Sequence, residues 1–339
     1  MPQTIGNPLS WAFGAIRSTF GYASAVAGSV GAQAATGTEL PEIRTLTLQD
    51  LRVALRKGWA DVMAFRSDVV FVCLLYPVIG GVLAVLAVQG NSLHLIFPTL
   101  SGFALAGPVA AVGLYEMSRR REHGLPTSWL AYLDVIKSPK FGGIMILSLF
   151  HVVVFLVWVM SANLIFDATL GPDAPQSIAA FTTAVFTTGA GWALIVIGVA
   201  VGFAFSVVVL AISVVSFPLL LDRNVSLPTA VVTSVKVALK NPVPVGAWGM
   251  IVAVSLALGS LPALLGLVLV LPILGHSTWH LYRQAVVWLK DTKNPRRTRG
   301  FLVLVFVILP SAAAVLIWLA PVFAALRYPA QSRRRSDRP

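Results

Sequence analysis

Charge is what this sequence has least of. Only 11% of its 339 residues are Asp, Glu, Lys or Arg, against about 25% in an average soluble domain. A chain so poor in charge cannot clothe a water-exposed surface, which excludes an ordinary soluble fold. There is one cysteine, Cys73, so a disulfide framework and a Cys-based metal motif are excluded as well. No Gly-rich phosphate loop follows a strand-like run, and no Ser/His/Asp order stands out. No enzyme signature is present, and a non-enzymatic role is the expectation.

Apolar side chains are abundant instead, at 57% of the chain. They gather in uninterrupted runs long enough to cross a hydrocarbon core of about 30 Å as helices, the form in which a spanning backbone satisfies its own hydrogen bonds. Seven such runs lie near 68–89, 93–117, 141–166, 190–221, 243–260, 262–282 and 301–326. The expected fold is an all-α polytopic membrane protein. It would be a six-helix bundle with a seventh transmembrane helix at the C-terminus. Gly90-Asn91-Ser92 and Ser260-Leu261-Pro262 are too short for anything but tight helical hairpins.

The formal net charge of +12 would suggest nucleic acid in a soluble protein, but here the cations flank apolar runs, where topology and anionic lipid account for them. Six Lys and Arg precede the first run, five separate the second from the third, three the fourth from the fifth, and six the sixth from the seventh. The connectors after the first, third and fifth runs contain none. That alternation predicts a cytoplasmic N-terminus and cytoplasmic basic connectors, with Asp167 to Gln176 outside. The expected partners are the bilayer, anionic lipids at its cytoplasmic face and other membrane complexes, with no nucleic acid.

Residues 1–47 read as a flexible tail; Ala32-Gln33-Ala34 imitates a signal-peptide cleavage site, but Arg17 interrupts the apolar part before it. The membrane domain covers 48–290, followed by a C-terminal apolar segment at 291–326 and a basic tail at 327–339. Crossing by the seventh run would leave Arg327, Arg333, Arg334, Arg335 and Arg338 outside. Its 26 uncharged residues nevertheless favour crossing over a re-entrant path.

Within the membrane domain a junction recurs. Phe65-Arg66-Ser67-Asp68, Ile136-Lys137-Ser138-Pro139 and Leu239-Lys240-Asn241-Pro242 each precede a long apolar run. Ser67, Ser138 and Asn241 are N-cap residue types, and Asp or Pro suits the helical turn that follows. Upstream of the first junction, Leu48, Leu51, Leu55, Trp59 and Val62 form an apolar stripe opposite Arg52, Arg56, Lys57 and Asp61, the pattern of an interfacial helix or of one packed on the bundle. Three units, 48–123, 126–223 and 226–290, are therefore expected, each an interfacial helix plus a transmembrane hairpin.

Ionisable residues inside a bilayer are costly, so each is a functional hypothesis. His151 lies 11 residues beyond Lys140, about 16 Å deep at 1.5 Å per residue. A proton relay, a ligand contact and a haem axial bond are open to it, as is a neutral histidine bonded to a neighbouring helix. A small-molecule or ion transport site near His151 and Asn163 is one functional alternative. His276 and His280 share a helical face at metal-binding spacing, yet no third ligand accompanies them in that run, so no metal is expected. Glu116 with Arg119, Arg120 and Arg121 reads either as an ion-paired helix end or, with Arg223 and Arg283, as a lipid or anion site.

Several motifs together resemble a known family. They are Arg56-Lys57-Gly58-Trp59-Ala60-Asp61, Tyr76-Pro77, Ser101-Gly102-Phe103-Ala104, Gly113-Leu114-Tyr115-Glu116 before Arg119-Arg120-Arg121-Glu122, Ser216-Phe217-Pro218 to Asp222-Arg223, and Gly275-His276 to Tyr282-Arg283. As a set they are similar to the bacterial predicted integral membrane family catalogued as domain of unknown function 2189, over about residues 46 to 288. The resemblance implies a polytopic membrane protein without an assigned activity. Some members carry oxidase-subunit labels, which implies a further alternative, a haem- or oxidase-associated subunit using His151 and His276.

Overall fold

The structure is a computed structural model that describes residues 41–65, 74–89, 92–103, 105, 107–127, 134–136, 138, 140–171 and 177–287. The N-terminal tail to residue 40, Ser67, Asp68, Cys73 and the seventh apolar run lie outside the described residues. The chain is overwhelmingly helical. After the short strand β1 (Glu42–Ile43) come α1 (Leu48–Ala64), α2 (Leu75–Gln89), a 3-10 turn at Leu93–Leu95, α3 (Ile96–Phe103), α4 (Gly107–Ala110) and α5 (Val112–Glu122). Then follow α6 (Phe141–Thr169), α7 (Ile178–Thr187), α8 (Gly189–Ser213), α9 (Ser216–Asp222), α10 (Leu227–Lys240), α11 (Pro242–Ser260), α12 (Leu267–Ala285) and strand β2 (Val286–Val287).

Among the described residues, three helices are long and apolar enough to cross a membrane: Phe141–Thr169, the nearly continuous Gly189–Asp222, and Pro242–Ser260. Their outward faces carry large apolar side chains, among them Leu149, Met160, Phe203, Met250 and Leu258. In water those faces would be a severe liability; in lipid they are the ordinary exterior. Inside this region a modest cluster joins Trp158, Ile165, Val201 and Phe205. Gly102 brings α3 close to α6, since a Cβ there would lie 2.9 Å from the Phe155 ring, and the Trp158 indole donates to the Pro98 carbonyl at 2.8 Å.

The largest core sits elsewhere, at the charged end of the bundle. Tyr115, Phe217, Leu219, Leu220, Trp248, Trp279 and Tyr282 pack there with Leu51 and Ala54 of α1. The chain ends of this region are stitched together: β1 pairs antiparallel with β2, and Asn241 Oδ1 accepts from Leu46 N at 2.7 Å while its amide donates to the Arg44 and Val237 carbonyls. α1 begins with a capping box, in which Asp50 N donates to Thr47 Oγ1 and Thr47 N donates to Asp50 Oδ2.

Three expectations change, and one pair of alternatives is decided. Leu48 to Ala64 is packed on the bundle: Leu51, Ala54, Gly58, Asp61 and Val62 are buried against the protein, whereas Leu48 and Trp59 are 54% and 45% exposed. The small residues Ala54 and Gly58 allow a close approach to α12, and the helix turns toward it. The second run is broken into α3, α4 and α5, with Pro98 and Pro108 contributing no N–H to a continuous ladder. The sixth apolar run, expected from 262, becomes α12 only at Leu267, because Ala263 and Leu264 adopt positive φ of 48° and 67° in the turn before it. Finally, Asn241 does precede α11, but its side chain bonds the strand segment rather than capping, and Lys140, not Ser138, occupies the N-cap position of α6.

Candidate functional site

α1 and α12 run antiparallel. Gln284 of α12 donates to the Asp50 carbonyl at 3.1 Å near the start of α1, and the Phe65 ring at its far end lies 5.9 Å from the His276 ring. Between them Gly58 meets Ser277, where a Cβ would fall 2.7 Å from the Ser277 backbone nitrogen. One turn further along α1, this contact delivers Asp61 into the protein.

Asp61 is the hub of the site, its side chain 7% exposed. Ser118 of α5 donates to Oδ2 at 2.6 Å, His280 Nε2 reaches the same oxygen at 2.9 Å, and Arg121 Nη1 donates to Oδ1 at 2.6 Å. Burial alone would raise the Asp61 pKa, but the hydrogen bonds from His280 and Ser118, with the charges of His280 and His276, outweigh it and hold the carboxyl below its ordinary value. An ionised carboxylate only accepts, which assigns the other protons. The Ser118 hydroxyl hydrogen points at Asp61, so His276 Nδ1 carries the proton in its 2.7 Å bond to Ser118 Oγ, and His280 carries its proton on Nε2. His276 Nε2 then faces a buried position with no hydrogen-bond partner.

Two further carboxylates complete a polar layer. Glu116, 5% exposed, takes a bidentate pair from Arg119 at 2.7 and 2.8 Å and a third bond from Arg120, which also reaches Asp134. Asp222, 6% exposed, accepts from the Tyr282 hydroxyl at 2.7 Å and lies 3.3 Å from Arg223 and 3.4 Å from Arg283. Glu122 links the rims by accepting from Trp279 Nε1 and Arg283 Nε, both at 3.0 Å. Lys140 Nζ donates to the Leu221 and Asp222 carbonyls at 2.8 and 2.9 Å, a cation at the C-terminal end of α9 where the helix dipole favours it. Burial, then the nearby Arg119 charge, lowers the Lys140 pKa.

The structure therefore brings Glu116, Arg119, Arg120, Arg121, Arg223 and Arg283 into one layer, each cation beside a carboxylate. His276 and His280 join it through Asp61, a partner from a different helix that sequence spacing does not reveal. Both histidines bond Ser118 or Asp61, and among the described residues no group of three His, Cys, Asp or Glu side chains is arranged to hold a metal. Asp61 and Ser118 escape sequence reading: Asp61 has the spacing of a polar face, and the one signal that could have turned it inward is its place one turn beyond Gly58.

His151 lies apart, fully buried on α6. Its Nδ1 donates to the Leu147 carbonyl at 2.8 Å, Phe217 meets the ring edge-on at 5.2 Å, and Nε2 has no partner. Asn163 is not its neighbour, being 12 residues, or about 18 Å, along the same helix. It pairs instead with His94, which sequence analysis passed over: His94 Nε2 donates to Asn163 Oδ1 at 3.0 Å, and Asn163 Nδ2 donates to Asp167 at 2.9 Å. The His94 ring stacks on Phe166 at 4.0 Å.

Residues 96–222 match the family model described as predicted integral membrane protein (DUF2189). The chain is a membrane protein that carries this family region. No curated protein and no solved structure matches the chain. The family region contains Glu116, Arg119 to Glu122 and Asp222, which is the arginine-rich half of the polar layer. Asp61, His276 and His280 come from outside the matched stretch and pack onto it, as do the Arg56 to Asp61 and Gly275 to Arg283 motifs.

Proposed function

We propose that this protein is a non-enzymatic structural or accessory component of the bacterial inner membrane. The observation that carries the reading is the polar layer. Of the three carboxylates buried on α1, α5 and α9, Asp61 and Asp222 are met by donors of neighbouring helices, and Glu116 by Arg119 and Arg120 of its own helix, Arg120 reaching on to Asp134; the cross-helix contacts make the layer a clamp. Breaking one such buried pair costs about 3–5 kcal/mol, so the layer holds the helices in a single arrangement and presents a fixed platform to partner proteins. Purification of the full chain from native membranes, followed by mass spectrometry and a visible spectrum, tests this. A defined set of co-purifying membrane proteins with no Soret band is expected. A Soret band proportional to protein would replace the accessory reading with a haem one.

Six spans in three hairpin units, with a seventh at 301–326 and the polar layer on the cytoplasmic side, is the topology that the distribution of Lys and Arg supports. Reporter fusions after Gly171 and Lys293 should report outside and inside respectively. An external signal at Lys293 inverts the orientation.

A transport function is the second reading, favoured by the unpartnered His151 Nε2 deep in α6 and by the interrupted second run at α3 to α5. Its site would centre on His151. Ligand-dependent thermal shifts that vanish in His151→Ala would favour it over the accessory reading.

A further inference from the structure

The face of α1 opposite Gly58 and Asp61 has an order of its own. Arg52, Arg56, Trp59 and Met63 follow one another at spacings of four, three and four residues, a single stripe along the helix. All four are exposed, Trp59 by 45% and Met63 by 36%, and Lys57 is exposed on the flank of the helix, about 100° around from Arg56. Neither acid of α1 offsets these cations: Asp50 is held in the Thr47 capping box, and Asp61 is buried against Ser118 and His280. The stripe passes from cations through an aromatic to an apolar side chain, about 16 Å from Arg52 to Met63 at 1.5 Å per residue.

Its direction relative to the membrane follows from α12. The Met63 end of α1 lies beside His276, where the apolar half of α12, Leu267 to Gly275, gives way to its polar half. The Arg52 end lies beside Gln284 and the strand pair. Cations therefore stand farthest from the hydrocarbon, tryptophan between, and methionine nearest, which is the depth order of phosphate, interface and acyl chain in a leaflet.

We propose that this outer face of α1 is a docking site for anionic phospholipid headgroups, with Arg52, Arg56 and Lys57 on the phosphates and Trp59 at the interface. The assignment of the leaflet as the inner one rests on the topology proposed above; binding itself does not. It differs from a site among Arg119, Arg120, Arg121, Arg223 and Arg283, whose charges face internal carboxylates.

The test uses full-length protein in non-ionic detergent, where leaflet orientation plays no part. Phosphatidylglycerol and phosphatidylcholine are titrated in mixed micelles at low salt, with melting temperature as the readout. Phosphatidylglycerol should raise the melting temperature and phosphatidylcholine should not. In the triple variant R52Q/R56Q/K57Q the phosphatidylglycerol midpoint should rise by about a hundred-fold, from three cations near the surface. Its melting temperature in phosphatidylcholine should equal wild type, which shows that the variant folds. R52K/R56K should keep most of the affinity, and Lys236→Gln, exposed on α10, all of it. An unchanged midpoint in the triple variant overturns the proposal. So does an equal shift with glycerol phosphate, which would mean a soluble-phosphate site, or loss of a co-purifying protein with the lipid shift intact, which would mean a protein interface.

Discussion

Replacing Asp61 by alanine should lower the melting temperature of the detergent-solubilised protein by about 10 °C, the equivalent of roughly 3–5 kcal/mol lost when one partner is removed from a buried charge cluster. The substitution leaves three donors facing an empty acceptor position: the Ser118 hydroxyl, His280 Nε2 and Arg121 Nη1. Among the described residues this removes the buried charge contact of α1 with α5 and α12, so trypsin should cleave at Arg52, Arg56 and Lys57 faster than in wild type. A melting temperature within a degree of wild type, with unchanged cleavage, would show that Gly58 packing alone seats the helix.

The same residue makes stability depend on acid. The folded-state pKa of Asp61 lies below its ordinary value of 3.8, so between the two values the unfolded chain binds the extra proton and the folded chain does not. Asp61 therefore contributes stability that is fully present above pH 3.8 and is lost as pH falls through the lower folded value. In Asp61→Asn that part of the acid dependence disappears, and the melting temperature declines less steeply below about pH 4 than in wild type.

Gly58→Ala should destabilise by about 1–3 kcal/mol although it adds a single methyl. The new Cβ would stand 2.7 Å from the Ser277 nitrogen and 2.9 Å from its Cα, backbone atoms within α12 that no rotamer change can move. α1 must back away, and Asp61, one turn further on, is drawn from Ser118 and His280. Because the two substitutions act on one interface, Gly58→Ala combined with Asp61→Ala should cost less than their sum. Gly246→Ala on α11 is the control: nothing lies within 4 Å of its added Cβ, so it should be neutral or, by relieving glycine's backbone entropy in a helix, slightly stabilising. Equal melting temperatures for the Gly58 and Gly246 variants would refute a tight α1–α12 contact.

The membrane character of the chain and the positions of its long helices were legible in the sequence because they depend on local quantities. The apolar runs expected at 141–166, 190–221 and 243–260 appear as helices at 141–169, 189–222 and 242–260; hydrophobicity and length decide such segments without reference to distant residues. Glu116 with Arg119 and Arg120 was legible for a similar reason, since partners three and four residues apart meet on any helix. The break in the second run was half-legible: Pro98 and Pro108 are visible, but proline is tolerated in many membrane helices when neighbours satisfy the freed groups.

What the sequence determined by itself was therefore a helical membrane protein with charge gathered at the ends of its apolar runs. Only the tertiary structure decided which way α1 faces and what its acid does. Asp61 meets Ser118 across 57 residues of sequence and His280 across 219, and periodicity cannot state which side of a helix a partner will cover. The α1 stripe of Leu51, Leu55 and Val62 and the stripe of Arg52, Arg56 and Trp59 are both regular. Close approach at Gly58 chose the first for the protein, buried Asp61 with it, and left the second exposed.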